Sequence, residues 1–329
     1  MDSDRFDALT RFLSQGTTRR NLTRLLGGLA LSGLLHPQSL AAKKRGNHKS
    51  GDNDKKGGKA KANGNKVSDG TVTASATSSP KFNPPQKTYL ALGDSLAFGF
   101  QFDIFNQHFP DVPPTLFEHG YVDDFSHMLQ PIRPDIETIN YGCPGETTDS
   151  FIRGGCFYTS RGFALHDGYP GSQLDAALTF LRSHQDQVSP ITFNLGTNDL
   201  NVLSGRCGDD VSCYKREGPI VIDQIAEHLD EILGALRAVA PTSEILTFTN
   251  YTIDPNFLKL IVAFNTVVEK TAAAHGVRVA NVFAAFKPKS ICDLTLVCTP
   301  IKDSHPSNAG YQVIAEQLWR ASAYEKLDH

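Results

Sequence analysis

Hydrophobic and polar positions follow two rhythms from Thr88 onward. Short apolar runs at 88–92, 136–140, 191–195, 244–250 and 277–282 read as buried strands. Between them lie longer stretches with helical spacing, at 173–184, 219–239, 256–275 and, last, about 308–325. In the second of these Leu229, Ile232, Leu233 and Leu236 recur at three and four residues, which places one apolar stripe along a helix. Strand and helix alternating in this way predict a single α/β domain, a parallel sheet flanked by helices. No internal repeat interrupts the alternation.

The chain ahead of Thr88 obeys neither rhythm. Thr17-Thr18-Arg19-Arg20-Asn21-Leu22 carries a twin arginine, and a mild apolar run follows from Leu25 to Leu35. Such a run is too short to span a bilayer at about 1.5 Å per residue. With the small residues of Ser39-Leu40-Ala41 behind it, it resembles a Tat-type signal peptide over 1–41, removed on export. An amphipathic N-terminal helix is the plainer alternative. Residues 42–87 are Lys, Gly, Asn, Ser and Thr with Phe82 the single aromatic, too little apolar surface to offset chain entropy. They read as a disordered basic tether, either a solvated linker or a loose attachment to an anionic cell envelope. The remaining domain is then 88–329.

Charge sharpens this division. The whole chain carries 32 Lys and Arg against 35 Asp and Glu, net −3. Residues 1–87 hold about +10 of that balance, which leaves about −13 on the body. So acidic a body makes a poor partner for nucleic acid, whose phosphates need a positive face. All six cysteines lie in the body as three close pairs: Cys143 with Cys156, Cys207 with Cys213, Cys292 with Cys298. An even number at short separations reads as three local disulfides and an oxidising compartment, outside the cytoplasm. Reduced or metal-bound thiols are the other reading, and there is no CxxC pair to support them.

Four blocks with chemical potential sit at predicted strand ends or beside the last helix. They are Gly93-Asp94-Ser95-Leu96, Asn140-Tyr141-Gly142-Cys143-Pro144-Gly145, Gly196-Thr197-Asn198-Asp199 and Asp303-Ser304-His305-Pro306. Parallel strands bring their carboxyl ends to one edge, so Ser95, Gly142 and Asn198 converge there and His305 can reach the same edge. A serine hydroxyl becomes nucleophilic when histidine takes its proton. The tetrahedral intermediate then needs donors, here the Ser95 and Gly142 N–H groups and the Asn198 amide. Taken singly, each block is as well explained by a turn glycine, a helix cap or a surface histidine. Together, in this order, they point to ester hydrolysis.

These blocks resemble those of the SGNH (GDSL-type) hydrolases, a family of esterases and lipases. The resemblance runs from Thr88 to the C-terminal helix. It implies a three-layer α/β/α sandwich with a five-stranded parallel sheet, flavodoxin-like in arrangement. It further implies Ser95 as nucleophile, His305 as base, and Ser95, Gly142 and Asn198 as oxyanion donors, with no cofactor. The three cysteine pairs are similar to those of secreted bacterial members with three disulfides. In the commoner family pattern the orienting Asp lies three residues before the histidine, whereas Asp303 lies two before His305. Residues two apart in an extended segment share a side, so Asp303 can still serve; a main-chain carbonyl is the alternative orienting group. Asp94 is read as holding the turn.

Other features bear on substrate and rigidity. Phe98, Phe100, Phe102, Phe105 and Phe109 follow the serine, either as an apolar wall for an acyl chain or as packing of a long loop. Tyr158, Phe163 and Tyr169 could instead stack on a sugar. Each cysteine pair lies near a site block, and each bridge is expected either to stiffen a catalytic loop or to stabilise in general. There is no Gly-x-Ser-x-Gly elbow, no HExxH and no phosphate-binding loop. His127, His184, His228 and His275 read as solvated or structural. The expectation is a secreted, monomeric serine esterase or lipase acting on an acyl ester. Its alternatives are a carbohydrate esterase and a catalytically idle envelope-binding module.

Overall fold

The computed structural model describes residues 84–327. The expected signal at 1–41 and the tether up to residue 83 lie outside the described residues. Five strands form one sheet: β1 Thr88–Gly93, β2 Glu137–Asn140, β3 Val188–Asn194, β4 Ile245–Phe248 and β5 Arg278–Ala280. Their order is β2-β1-β3-β4-β5 and every pairing is parallel. Hydrogen bonding starts just ahead of the expected boundary: Gln86 N–H donates to Ser189 O (2.7 Å) and Glu137 N–H to Lys87 O (2.9 Å).

Parallel strands need crossovers, and helices supply them. In chain order these are α1 Ser95–Phe98, α2 Phe102–His108, α3 Tyr121–Leu129, α4 Thr148–Arg153, α5 Gln173–Ser183 and α6 Thr197–Cys207. After them come α7 Val211–Val239, α8 Leu258–Ala274, α9 Val282–Ala285, α10 Ile291–Leu294 and α11 Asn308–Ser322. Alternation along β1 sorts them into layers. Leu90 and Leu92 face a core built with α4 to α8, while Tyr89 and Ala91 face a second core with α1, α3 and α11. The three-layer α/β/α sandwich is therefore what the chain forms. Leu90 is wholly buried, and Leu90→Ala would cost about 2–5 kcal/mol.

One helix departs from expectation. The stretch beginning at Pro219 is the interior of α7, which starts eight residues earlier and carries Pro219 within it. The sequence makes proline an attractive start because it lacks an N–H. The actual start is set by Asp210, whose side chain accepts from Ser212 N–H (2.8 Å). It is also set by the disulfide from Cys207, at the end of α6, to Cys213 in the first turn of α7. That bridge therefore joins two helices and does not close a loop after Asn198.

Candidate active site

β1 ends at Gly93, whose φ of +137° suits glycine and whose absent Cβ would lie 2.4 Å from Asn194 O on β3. The close approach makes room for a sharp turn. Asp94, 1% exposed, caps α1 by accepting from Leu96 N–H (2.9 Å), so it does hold the turn. Ser95 is the first residue of α1, and its Oγ lies 2.9 Å from His305 Nε2, 210 residues further along the chain.

His305 rests on an irregular segment ahead of α11. Its Nδ1–H donates to Asp303 Oδ1 (2.6 Å), and its own backbone N–H reaches the same oxygen (3.0 Å). The other carboxylate oxygen accepts from Phe102 N–H (2.8 Å) at the start of α2. The two-residue spacing works because one carboxylate folds back on both the ring and the backbone of His305. Burial pushes the Asp303 carboxyl upward, but the His305 charge, the bond from its ring and two backbone N–H groups hold it below its ordinary value. For His305 burial works against the imidazolium. The Asp303 carboxylate, aided by Asp94, outweighs that and leaves the imidazole above its ordinary value.

The segment cross-linked by Cys292–Cys298 is hydrogen-bonded to this base. Leu296 N–H donates to His305 O (3.0 Å), and Thr295 pairs with Pro306 in an isolated antiparallel bridge. Gln101 Nε2–H donates to Pro306 O (2.9 Å) and Tyr251 O–H to Ser304 O (2.8 Å).

The oxyanion side corrects one expectation. Gly142 is buried, and its N–H donates to Asn140 Oδ1 (2.9 Å). A Cβ on it would lie 2.6 Å from Phe98 N, so its free side faces α1. Gly142 therefore brings no available donor. Gly145, three residues on, is partly exposed with φ +77°, and its N–H has no partner among the described residues. Ser95 N–H is likewise without a partner among them. The readable signal was Asn140: an Asn two residues before Gly142 forms a side-chain turn that captures its N–H.

Asn198, in the first turn of α6, donates from Nδ2 to Glu146 O (2.9 Å) and lies 3.5 Å from Asp94 Oδ2. Ser95, Asn198 and the Gly145–Glu146 turn are thus drawn together around Asp94.

Polar groups behind this edge form a network that sequence reasoning missed. Glu146, 1% exposed, accepts from Ser150 Oγ–H, from Gln173 Nε2–H (3.1 Å) and from Tyr169 O–H (3.4 Å). Burial pushes both Asp94 and Glu146 up to about 7. His228 is not isolated, since its Nδ1 lies 2.8 Å from Thr148 Oγ1, which donates to Asp199 (2.7 Å). His275 also has a partner, Asp230 at 2.7 Å.

Four rings of the aromatic run resolve toward packing, while Phe109 is 40% exposed. Phe98, Phe100, Phe102 and Phe105 are each at most 4% exposed and pack on one another, and Phe100 and Phe102 lie edge-on to His305 at 5.3 and 5.5 Å. Tyr158 is also buried and so offers no face to a sugar. All three expected disulfides form, Cys143–Cys156, Cys207–Cys213 and Cys292–Cys298. Among the described residues one group, Cys143, Glu146 and Cys156, has the spacing to hold a cation, but both sulfurs are joined to each other and offer no thiolate.

Comparison with known proteins agrees with the fold and the family. No curated protein matches the chain. Among solved structures it is similar to a protein from Parabacteroides merdae described as a GDSL-like lipase, at 15% identity and TM-score 0.51, covering 74% of this chain and 99% of that one. It is also similar to Axe2, an acetylxylan esterase from Geobacillus stearothermophilus, at 17% identity and TM-score 0.46, covering 73% and 95%. LAE5, an α/β hydrolase from the metagenome of Lake Arreo, is 21% identical at TM-score 0.45, covering 74% and 97%. Residues 91–313, from within β1 into α11, match the GDSL-like Lipase/Acylhydrolase family, and the chain belongs to that family of ester hydrolases.

Proposed function

We propose that the protein is a serine esterase that cleaves carboxylic esters of short acyl chains through an acyl-enzyme on Ser95. The observation that carries this reading is the line of contacts from Ser95 Oγ to His305 Nε2 (2.9 Å) and from His305 Nδ1 to Asp303 (2.6 Å). Ser95 Oγ attacks the ester carbon as its proton passes to His305 Nε2. The oxyanion is received by the N–H groups of Ser95 and Gly145 and the Asn198 amide, each donor lowering the barrier by about 2.7–4 kcal/mol. Collapse breaks the bond to the alkoxide, which leaves with the proton held on His305. Water then attacks the acyl-Ser95 ester, giving one proton to His305; the carboxylic acid departs and Ser95 Oγ recovers that proton. Asp303 fixes the tautomer and stabilises the imidazolium.

Short acyl groups are favoured because Phe98, Phe100, Phe102 and Phe105 beside Ser95 are buried against one another and are not available to line a long chain. The test is turnover of p-nitrophenyl esters of graded length by the protein and by Ser95→Ala. Acetate to butyrate should be hydrolysed fastest and Ser95→Ala should be inert. Preference for long chains would replace the short-acyl reading with a lipase. No turnover by the intact protein would favour the binding module.

Pairing of all described cysteines supports a site of action outside the cytoplasm, with the twin arginine as the export signal. No described helix is long and apolar enough to cross a membrane. Replacing Arg19 and Arg20 together by Lys should retain the protein in the cytoplasm, and export unaffected by the change would remove the Tat assignment.

A further inference from the structure

β1 is paired with β2 only as far as Ala91 opposite Asn140. Past that point β2 has ended, and Gly93 N–H has no strand to donate to on that side. A side chain takes the strand's place. Gln173, 1% exposed at the start of α5, accepts from Gly93 N–H through Oε1 (2.7 Å) and donates from Nε2 to Gly93 O (3.0 Å). A carboxamide carries the same donor and acceptor as a peptide unit, so Gln173 acts here as one further residue of sheet. Gly93 O also accepts from Cys143 N–H (3.0 Å), so this one residue anchors the second block as well.

The same Nε2 lies 3.1 Å from Glu146 Oε2, and Glu146 O accepts from Asn198 Nδ2 (2.9 Å). The route Gly93–Gln173–Glu146–Asn198 therefore ties together the residues next to all three oxyanion donors: Ser95 two residues after Gly93, Gly145 one before Glu146, and Asn198 itself.

We propose that Gln173 is a positioning residue for ester hydrolysis, standing in for the missing strand at Gly93 and setting the spacing between the nucleophile turn and the oxyanion donors. The proposal rests on the serine esterase reading. Because Gln173 lies behind the turn, its loss should leave substrate binding intact and misplace the groups that act in the transition state. A displacement of about 1 Å is worth about a hundredfold in rate.

The test is Gln173→Met, which keeps length and apolar bulk but removes the side-chain bonds to Gly93 and Glu146, assayed on p-nitrophenyl butyrate beside the unaltered protein and Ser95→Ala. The expected result is a fall in kcat of about a hundredfold with KM within about threefold, and an equal loss of affinity for a butyl boronic acid that mimics the tetrahedral state. Turnover by Ser95→Ala equal to that of the unaltered protein would overturn the esterase reading itself. An inert Ser95→Ala beside Gln173→Met of undiminished kcat would overturn the positioning role alone. A change confined to KM would do the same. Should Gln173→Met not fold, Gln173→Glu at pH 8 serves: it keeps the acceptor for Gly93 N–H and loses the donor to Gly93 O and Glu146. A kcat within twofold of the unaltered protein in that variant overturns the proposal.

Discussion

The two halves of the proposed active site are built by different means. Ser95, Gly145 and Asn198 follow the ends of β1, β2 and β3, so the parallel register brings them to one edge, where the Gln173 and Glu146 bonds join their turns. Asp303 and His305 belong to no strand and sit on an irregular segment ahead of α11. Their place is fixed by bonds from Phe102, Gln101, Tyr251 and Leu296, and by the cross-linked turn at Cys292–Cys298. The Ser95 half is held by the sheet and the Gln173 bonds at its edge; the His305 half is held off the sheet by hydrogen bonds and a covalent staple. A rigid platform can carry donors whose geometry must not vary, while the base needs only one good hydrogen bond to Ser95 and one to Asp303.

The sharpest way to break this comparison is to remove either end of its one connecting contact. Ser95→Ala and His305→Ala should each lower kcat on the order of 10⁶-fold while leaving thermal unfolding nearly unchanged, as read by ester turnover and calorimetry. Asp303→Asn should cost about 10⁴-fold in kcat; a loss under tenfold would hand the orienting role to a main-chain carbonyl. On the sheet-held half, Asn198→Ala should cost about 10²–10³-fold in kcat with little change in KM.

pH separates the halves further. In the proposed mechanism His305 serves as base only when neutral, and the Asp303 carboxylate raises its affinity for a proton, so kcat/KM should fall with acid through an inflection above 6.5. Asp303→Asn removes the charge and should move the inflection down. Asp94→Asn should move it down less, since Asp94 is the smaller contributor and itself titrates at about 7. An inflection unmoved in Asp303→Asn would show that the pair is not coupled.

The smallest effect tests the staple. Replacing Cys292 and Cys298 together by Ser should lower stability by about 2.4 kcal/mol on loop-closure grounds. It should also lower kcat by roughly tenfold through a displaced His305. Removing Cys207 and Cys213, which join α6 to α7, should cost similar stability and leave kcat within about twofold. Equal losses of kcat from the two bridges would mean that both act on stability alone.

What could be read from the sequence follows the same division. The strands were legible because Tyr89-Leu90-Ala91-Leu92 and Ile191 to Leu195 have neither water nor helix spacing to satisfy. Once they were in register, Ser95 and Asn198 followed. Gly142 was misplaced for a local reason: Asn140 captures its N–H, and only the bonding pattern reveals that the Gly145 N–H has no partner among the described residues. The start of α7 was missed because a disulfide and Asp210 overrode the signal of Pro219. The phenylalanines were ambiguous because composition cannot say whether rings face a substrate or one another. Gln173 had no sequence signal, since its partner is a backbone that lacks a strand 80 residues away.

The contact between Ser95 and His305 also has a consequence in time. Ser95, just past the first strand, and His305, just ahead of the last helix, are separated by nearly the whole domain, 210 residues. A chain emerging from the ribosome carries Ser95 early and the proposed base only once its final segment has been made and docked. On the proposed mechanism, hydrolysis would therefore report completed synthesis: a fragment ending before residue 305 lacks the partner of Ser95 Oγ and should hydrolyse nothing.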